Sequence, residues 1–292
     1  MDVIETYLRR IGLEHPGPPS ISGLFEIHRA HAERVPYENL DVYIGKVIPI
    51  QPQDSLDRII KRRRGGHCYH LNGGLGALLE GLGYQVDYHR GGTQLPGLPP
   101  PGANGGHLVL TVSGLPSPES PDGLWYVDVG MGDGIYEPMP LVTGTYAQGP
   151  FTYGLRPSES VPGGWRFDHD TKANFVGMDW EAGLCTMTDL EERNYLACTS
   201  IKSPLIWYSV VIRRDATGID LMGGCVLRRM ENGNVDRELT SRKEWFEALA
   251  DIFGLTLDDM TEAERDQLWN KITAAHEVWK AQQRAQAQAS AN

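Results

Sequence analysis

The segment Arg64-Gly65-Gly66-His67-Cys68-Tyr69-His70-Leu71-Asn72 is followed by Leu75, Leu78, Leu79 and Leu82 at helical spacing. The pattern predicts a helix entered through two glycines, with Cys68 on its first turn. Unbonded backbone N–H groups and the positive end of the helix dipole gather there, and both favour a thiolate over a thiol. Cys68 is therefore a candidate nucleophile. Such a nucleophile needs a base, and the base needs a group to orient it.

Nine histidines compete for the role of base. His70 is near in sequence, but two residues along a helix is a rotation of about 200°, so its side chain diverges from that of Cys68. His67 precedes the helix and its direction is not fixed by the sequence. His107 follows Gly105-Gly106 and opens His107-Leu108-Val109-Leu110-Thr111-Val112, which predicts a histidine at the lip of a sheet. Alone, a strand-end histidine is more often a surface or structural residue. Asp128 changes that balance. It lies within Leu124-Trp125-Tyr126-Val127-Asp128-Val129-Gly130, a run apolar enough to be buried. A buried carboxylate must find a donor or a cation. Strands 107–112 and 124–129 are joined by a Pro/Gly-rich turn, so antiparallel pairing brings Asp128 beside His107. The competing reading is that Asp128 caps a turn at Gly130. With Cys68, the three residues satisfy the nucleophile, base and orienter logic of a thiol that accepts an acyl group, for hydrolysis or for transfer. A metal site at His67, Cys68 and His70 is a poor alternative, because Cys-x-His offers too few ligands and they diverge on a helix.

These residues need elements to hold them. The first ~85 residues read as mostly helical. Val3, Ile4, Tyr7, Leu8 and Ile11 share a face, as do Leu24, Ile27, His28 and His31; Leu56, Ile59, Ile60 and Arg63 follow a cap at Asp54-Ser55. From Tyr84 the period becomes two, with Gly/Pro-rich interruptions, which predicts an antiparallel barrel or sandwich to about residue 180. The last third is mixed. Trp207–Arg214 reads as a strand, and Asn232-Gly233 joins a hairpin between 225–231 and 235–239. Capping boxes at Ser241 to Glu244 and Thr261 to Glu264 open two helices, and the Ala/Gln tail from Ala281 to Asn292 reads as frayed.

Composition excludes several classes. The 292 residues are 40% hydrophobic and 22% charged, as in a soluble globular chain with a sizeable core. The net charge of −11, from 27 basic against 38 acidic residues, opposes nucleic-acid binding. Lys61-Arg62-Arg63-Arg64 reads by default as a solvated face. No apolar run is long enough to span a membrane, and the N-terminus has no basic leader. Four dispersed cysteines without C-x-x-C spacing fit a reducing, cytoplasmic setting.

Pro36-Tyr37-Glu38-Asn39-Leu40, Arg64-Gly65-Gly66-His67-Cys68, His107-Leu108-Val109-Leu110 and Val127-Asp128-Val129-Gly130-Met131-Gly132-Asp133 occur in that order, with a further match at Ser203-Pro204. In sequence and spacing the chain resembles the arylamine N-acetyltransferases over nearly its whole length. The resemblance implies a catalytic triad of Cys68, His107 and Asp128, as in a cysteine-protease-like core. It also implies an α+β fold in three parts: a helical bundle (1–85), an antiparallel β-barrel (86–204) and an α/β lid (205–292). The expected reaction is ping-pong acyl transfer from acetyl-CoA, which is substrate rather than bound cofactor, to an aromatic amine or hydrazine. Backbone N–H groups at Cys68 and Tyr69 are expected to stabilise the oxyanion. Tyr37, Gly106 and Met131 are expected to line the acceptor pocket. Three positions depart from the family pattern: Tyr37 replaces Phe, His70 replaces Glu, and Met131 replaces an aromatic residue. The rivals are a same-fold amide synthase that uses no CoA and a papain- or transglutaminase-like cysteine hydrolase. A binding module would leave Asp128 unexplained.

Overall fold

The computed structural model describes residues 2–290. Its N-terminal part holds α1 (Val3–Arg10), α2 (Ile21–Arg34), β1 (Tyr37–Glu38), α3 (Leu40–Tyr43), α4 (Pro52–Ile60) and α5 (Cys68–Gly81). Asp2 and Ser20 cap α1 and α2 through their side chains. The start of α4 differs from the expected cap at Asp54-Ser55. Pro52 occupies the first turn, where its missing N–H costs nothing, so the helix opens at Pro52 with Gln51 as its N-cap. Leu71, Leu75, Leu78 and Leu79 of α5 are fully buried against Tyr7, Leu24, Ile27 and Ile59. Each such leucine contributes about 1.5–3 kcal/mol of burial.

The middle of the chain forms β2 (Gln85–Gln94), β3 (His107–Ser113), β4 (Trp125–Val127), β5 (Met139–Pro140), β6 (Gly144–Gln148), β7 (Phe151–Pro157), β8 (Trp165–Asp168) and β9 (Gly177–Leu184). These make one antiparallel sheet in the order β5-β4-β3-β2-β9-β8-β7-β6, a nearly closed barrel. Strand β7 alternates as a one-sided strand should, burying Phe151, Tyr153 and Leu155. Strand β3 is buried on both faces: Leu108, Leu110 and Val112 join the helical core, while Val109 joins the barrel core. That double burial explains its unbroken apolar run.

The remainder comprises α6 (Glu191–Thr199), α7 (Pro204–Trp207), β10 (Val210–Arg214), β11 (Ile219–Gly223), β12 (Val226–Met230), β13 (Asn234–Glu238), α8 (Arg242–Phe253) and α9 (Glu262–Ser290). The expected strand 207–214 is shortened, because Pro204 and the Ser203 cap start a helical turn that takes up Trp207. The expected hairpin forms as β12 and β13. The predicted helix starts also hold: Ser241 Oγ accepts from Glu244 N–H, and Thr261 and Glu264 cap each other. The Ala/Gln segment does not stop at 281 but continues α9 to Ser290; residues 291–292 lie outside the described residues. Strand β1, from the helical part, pairs with β10 through Tyr37↔Ile212 and Glu38↔Val211, completing a second sheet. No helix among the described residues is long and apolar enough to cross a membrane.

Candidate active site

Cys68 is the first residue of α5, with His67 as its N-cap in extended conformation (φ −84°, ψ −178°). The glycines before it are needed for space. A Cβ on Gly65 would lie 1.7 Å from the Pro36 carbonyl oxygen, and Gly66 bridges to Tyr37. This close approach sets the motif around Tyr37 against the start of α5. It is held by buried charge: Arg64 is fully buried and donates to Glu38 at 3.1–3.2 Å and to Asp259 at 3.2–3.3 Å. Arg58 donates to Asp41 at 2.8 Å and also to Glu38. The expectation of a solvated basic run therefore fails at Arg64, whereas Lys61, Arg62 and Arg63 are exposed. A guanidinium can be buried here only because carboxylates from two other segments surround it.

His107 opens β3, as expected, and is buried. Its Nε2 lies 2.7 Å from Asp128 Oδ2, which directs the other side of the ring to Cys68. Asp128 lies one residue beyond β4 rather than inside a strand, because the ladder with β3 ends at Leu110↔Val127. The carboxylate is 1% exposed and fully served. Tyr126 Oη donates to Oδ2 at 3.0 Å, Asn72 Nδ2 to Oδ1 at 2.9 Å, and Gly130 N–H to Oδ1 at 2.8 Å. The turn-capping reading and the orienter reading thus describe the same residue, one oxygen serving Gly130 and the other His107.

The electrostatics follow from this arrangement. Burial raises the Cys68 thiol, but the charge of His107, then hydrogen bonds to His107 and His67, overcome it and hold the thiol below its ordinary range. Burial disfavours the His107 imidazolium, and the charges of Asp128 and Cys68 reverse that, raising the group to about 10. Asp128 is lowered despite burial, chiefly by the His107 charge. The result is a thiolate and imidazolium pair at the head of a helix.

Cys68 and His107 face a cavity of about 620 Å³, whose lining includes Tyr37, Gly106 and Met131 as well as Trp207 and Trp279. The Gly106 carbonyl oxygen lies 3.9 Å from Cys68 Sγ. Tyr69 is buried and its hydroxyl donates to the Gly105 carbonyl, so the side chain braces the loop before His107. The N–H groups of Cys68 and Tyr69 precede the first intrahelical bonds, which His70 and Leu71 donate to the His67 carbonyl.

An N-acetyltransferase family model matches residues 20–262 of this chain. The chain belongs to the arylamine N-acetyltransferase family. The arylamine N-acetyltransferase of Mycolicibacterium smegmatis is 28% identical over 267 residues, which is 87% of this chain and 92% of that protein. The solved structure of the M. smegmatis arylamine N-acetyltransferase superposes with a TM-score of 0.82 at 25% identity, covering 92% of this chain and 98% of that one. That of the Mycobacterium marinum arylamine N-acetyltransferase in complex with CoA gives a TM-score of 0.81 at 25% identity, covering 93% and 98%. The protein is an acyltransferase of this family.

Within this arylamine N-acetyltransferase fold, the His70 ring is engaged elsewhere than at Cys68, its Nε2 lying 3.1 Å from the Pro49 carbonyl oxygen. Two supporting residues were not singled out from the sequence, Asn72 and Tyr126. Asn72 carried a signal, being a carboxamide one turn after Cys68 and followed by a run of glycine, leucine and alanine. Tyr126 carried none, since a tyrosine in an apolar strand reads as core. The aromatic residues contributed by α7 and α9 were also unreadable, because nothing local tells a helix which cavity it will wall.

Proposed function

We propose that the protein transfers the acetyl group of acetyl-CoA to arylamines and arylhydrazines by a ping-pong route through acetyl-Cys68. The observation that carries this is the single line from Cys68 through His107 to Asp128, with 2.7 Å between the last two, opening onto the cavity. The M. marinum relative's complex with CoA supports the choice of donor. We read the chain as a helical bundle (1–85) bearing the nucleophile, a barrel (86–204) bearing His107 and Asp128, and an α/β lid (205–292), acting in the cytoplasm.

The Cys68 thiolate attacks the thioester carbonyl, and the N–H groups of Cys68 and Tyr69 receive the developing oxyanion. The carbon–sulfur bond to CoA breaks, and the departing CoA thiolate takes the proton carried by the His107 imidazolium. Neutral His107 then accepts a proton from the amine as its nitrogen attacks acetyl-Cys68, and the amide leaves with Cys68 again a thiolate. Exchange between thioesters is nearly isoenergetic, whereas amide formation runs downhill. Aromatic amines suit the second step because they are uncharged at neutral pH. Tyr37, Gly106 and Met131 line the acceptor side; Met131 gives a more pliable wall than an aromatic residue would.

Intact-protein mass spectrometry after incubation with acetyl-CoA tests the reading. One acetyl adduct is expected on the wild type, with none on Cys68→Ala and slow formation on His107→Ala. Absence of an adduct with any acyl-CoA overturns it and favours the amide synthase. An adduct that discharges to acetate at the same rate with or without an amine favours a hydrolase.

A further inference from the structure

Asp133 takes no part in the reaction proposed above, yet it is a buried carboxylate (2% exposed) on the wall of the cavity that Cys68 and His107 face. The chain reaches it from the nucleophile in a few residues. A Cβ on Gly130 would lie 3.0 Å from Cys68 Cα. Gly132 then turns the backbone through the left-handed region (φ 75°), where a Cβ would meet Tyr37 Cβ at 2.7 Å and Ile212 Cβ at 2.9 Å. Three residues span at most about 11 Å, and less through a turn, so Asp133 stands from Gly130 at a distance on the scale of one substituted aromatic ring.

The carboxylate is only half served. Oδ2 accepts from the Asn174 side chain at 3.1 Å and from its backbone N–H at 3.4 Å. Oδ1 accepts no hydrogen bond from the described residues; His169 Nε2 stands 3.6 Å away, too far for one. The His169 ring is held there edge-on to Phe167 and Phe175, with centroids 5.3 Å and 4.3 Å apart.

The other acidic and basic side chains on the cavity wall are matched. Arg228 donates twice to Asp236 at 2.7 Å, His276 Nε2 lies 3.0 Å from Glu238, and His107 has Asp128. Asp133 is the acid left over, and the wall around it is apolar and aromatic, with Tyr37, Met131 and Phe175. A buried carboxylate with a free oxygen gains most from a charged or N–H donor. A ligand with an aromatic body and a cationic end satisfies both the wall and the oxygen, whereas a carboxylate end sets like charges together.

We propose that Asp133 selects the acetyl acceptor: its free oxygen receives an ammonium or other N–H donor carried by the aromatic amine at the end away from the reacting nitrogen. Arylamines and arylhydrazines with a cationic substituent are then favoured, and those with a carboxylate are disfavoured. The proposal rests on acetyl transfer to such amines through Cys68.

The test is kcat/KM, with acetyl-CoA as donor, for 4-(aminomethyl)aniline, 4-methylaniline and 4-aminobenzoate, whose para groups are cationic, neutral and anionic. Each is measured on the wild type, Asp133→Asn and Asp133→Ser. Comparing ratios between proteins cancels the intrinsic nucleophilicity of each amine. Asp133→Asn keeps an acceptor for Asn174 and removes the charge. Its cationic-to-neutral ratio should fall by about 10- to 100-fold and its anionic-to-neutral ratio should rise by about tenfold. Asp133→Ser should move both ratios in the same directions and carries the test alone should the Asn variant fail to fold. A structural role would lower all three values alike and leave the ratios in place, and that result overturns the proposal, as does a wild type that prefers 4-aminobenzoate. A wild type that forms no acetyl-Cys68 would instead overturn the transferase reading itself, so the two failures are distinguishable.

Discussion

Asn72 and Asp128 are joined by a 2.9 Å hydrogen bond from the carboxamide of α5 to the carboxylate beyond β4. The same carboxamide donates to the Leu108 carbonyl at 2.7 Å and accepts from Val129 N–H at 2.9 Å. Cys68 lies one helical turn before Asn72, and His107 one residue before Leu108. A single side chain thus fixes the helix bearing the thiol against the strand bearing the imidazole.

Asn72→Leu should keep the volume and lose all three bonds, leaving Asp128 with one fewer donor. A fall in kcat of about 10- to 100-fold is expected, by analogy with other residues that orient reactive groups, with a stability loss of about 1–3 kcal/mol. Steady-state kinetics and thermal melting check both. Wild-type turnover in a folded variant would refute the bridging role.

Asp128→Asn should preserve the shape but reverse the demand on His107 Nε2, since a carboxamide nitrogen cannot accept its proton. Loss of the orienting carboxylate should lower the rate of acetyl-Cys68 formation by about 10²- to 10⁴-fold, the range set by a positioned proton-transfer group. Rapid-quench mass spectrometry measures it, and an unchanged acylation rate would remove Asp128 from the triad.

Glu38→Gln should be among the most damaging changes outside the cavity lining. Arg58 and Arg64 are both buried and both donate to Glu38. Removing one partner of a buried ionic cluster costs about 3–5 kcal/mol. A midpoint in urea equal to that of the wild type would contradict this.

Gly65→Ala places a methyl group 1.7 Å from a backbone oxygen, so the chain itself must shift beside Cys68. Gly233→Ala, in the β12–β13 hairpin with nothing within 4 Å, is the matched control. The first should lower the melting temperature, and the second should change the stability by no more than about 0.5 kcal/mol. Equal effects would show that the close approach is not limiting.

Acid should destabilise the fold before its carboxylates titrate. Burial lowers His28 to about 4 and His31 to about 3. A group depressed in the folded state contributes stability above its unfolded value, near 6.5, and loses it as pH falls towards the folded value. The melting temperature should therefore fall between about pH 6.5 and pH 4. A flat profile across that window would mean these histidines are charged in the fold. His28→Phe should flatten the slope.

Much of the site was legible in the sequence because its parts are local. Two glycines before a leucine-spaced run place Cys68 on a first helical turn, an apolar strand starts at His107, and a carboxylate inside apolar sequence must be served by something. Sequence alone also specified the hairpin at Asn232-Gly233 and the capped starts of α8 and α9, since each depends on residues a few positions apart. Other features depend on segments remote in sequence, and no local pattern encodes them. Arg64 reads as one more exposed base until Glu38 and Asp259 close around it. Trp207 reads as strand until Pro204 turns the chain, and only the packing of α7 and α9 makes Trp207 and Trp279 walls of the cavity. The sequence determined which residues could react; tertiary structure decided which buried charges are paired and what surrounds the Cys68 sulfur, because those energies arise between side chains on different elements, from about 20 residues apart for Arg58 and Glu38 to 195 for Arg64 and Asp259.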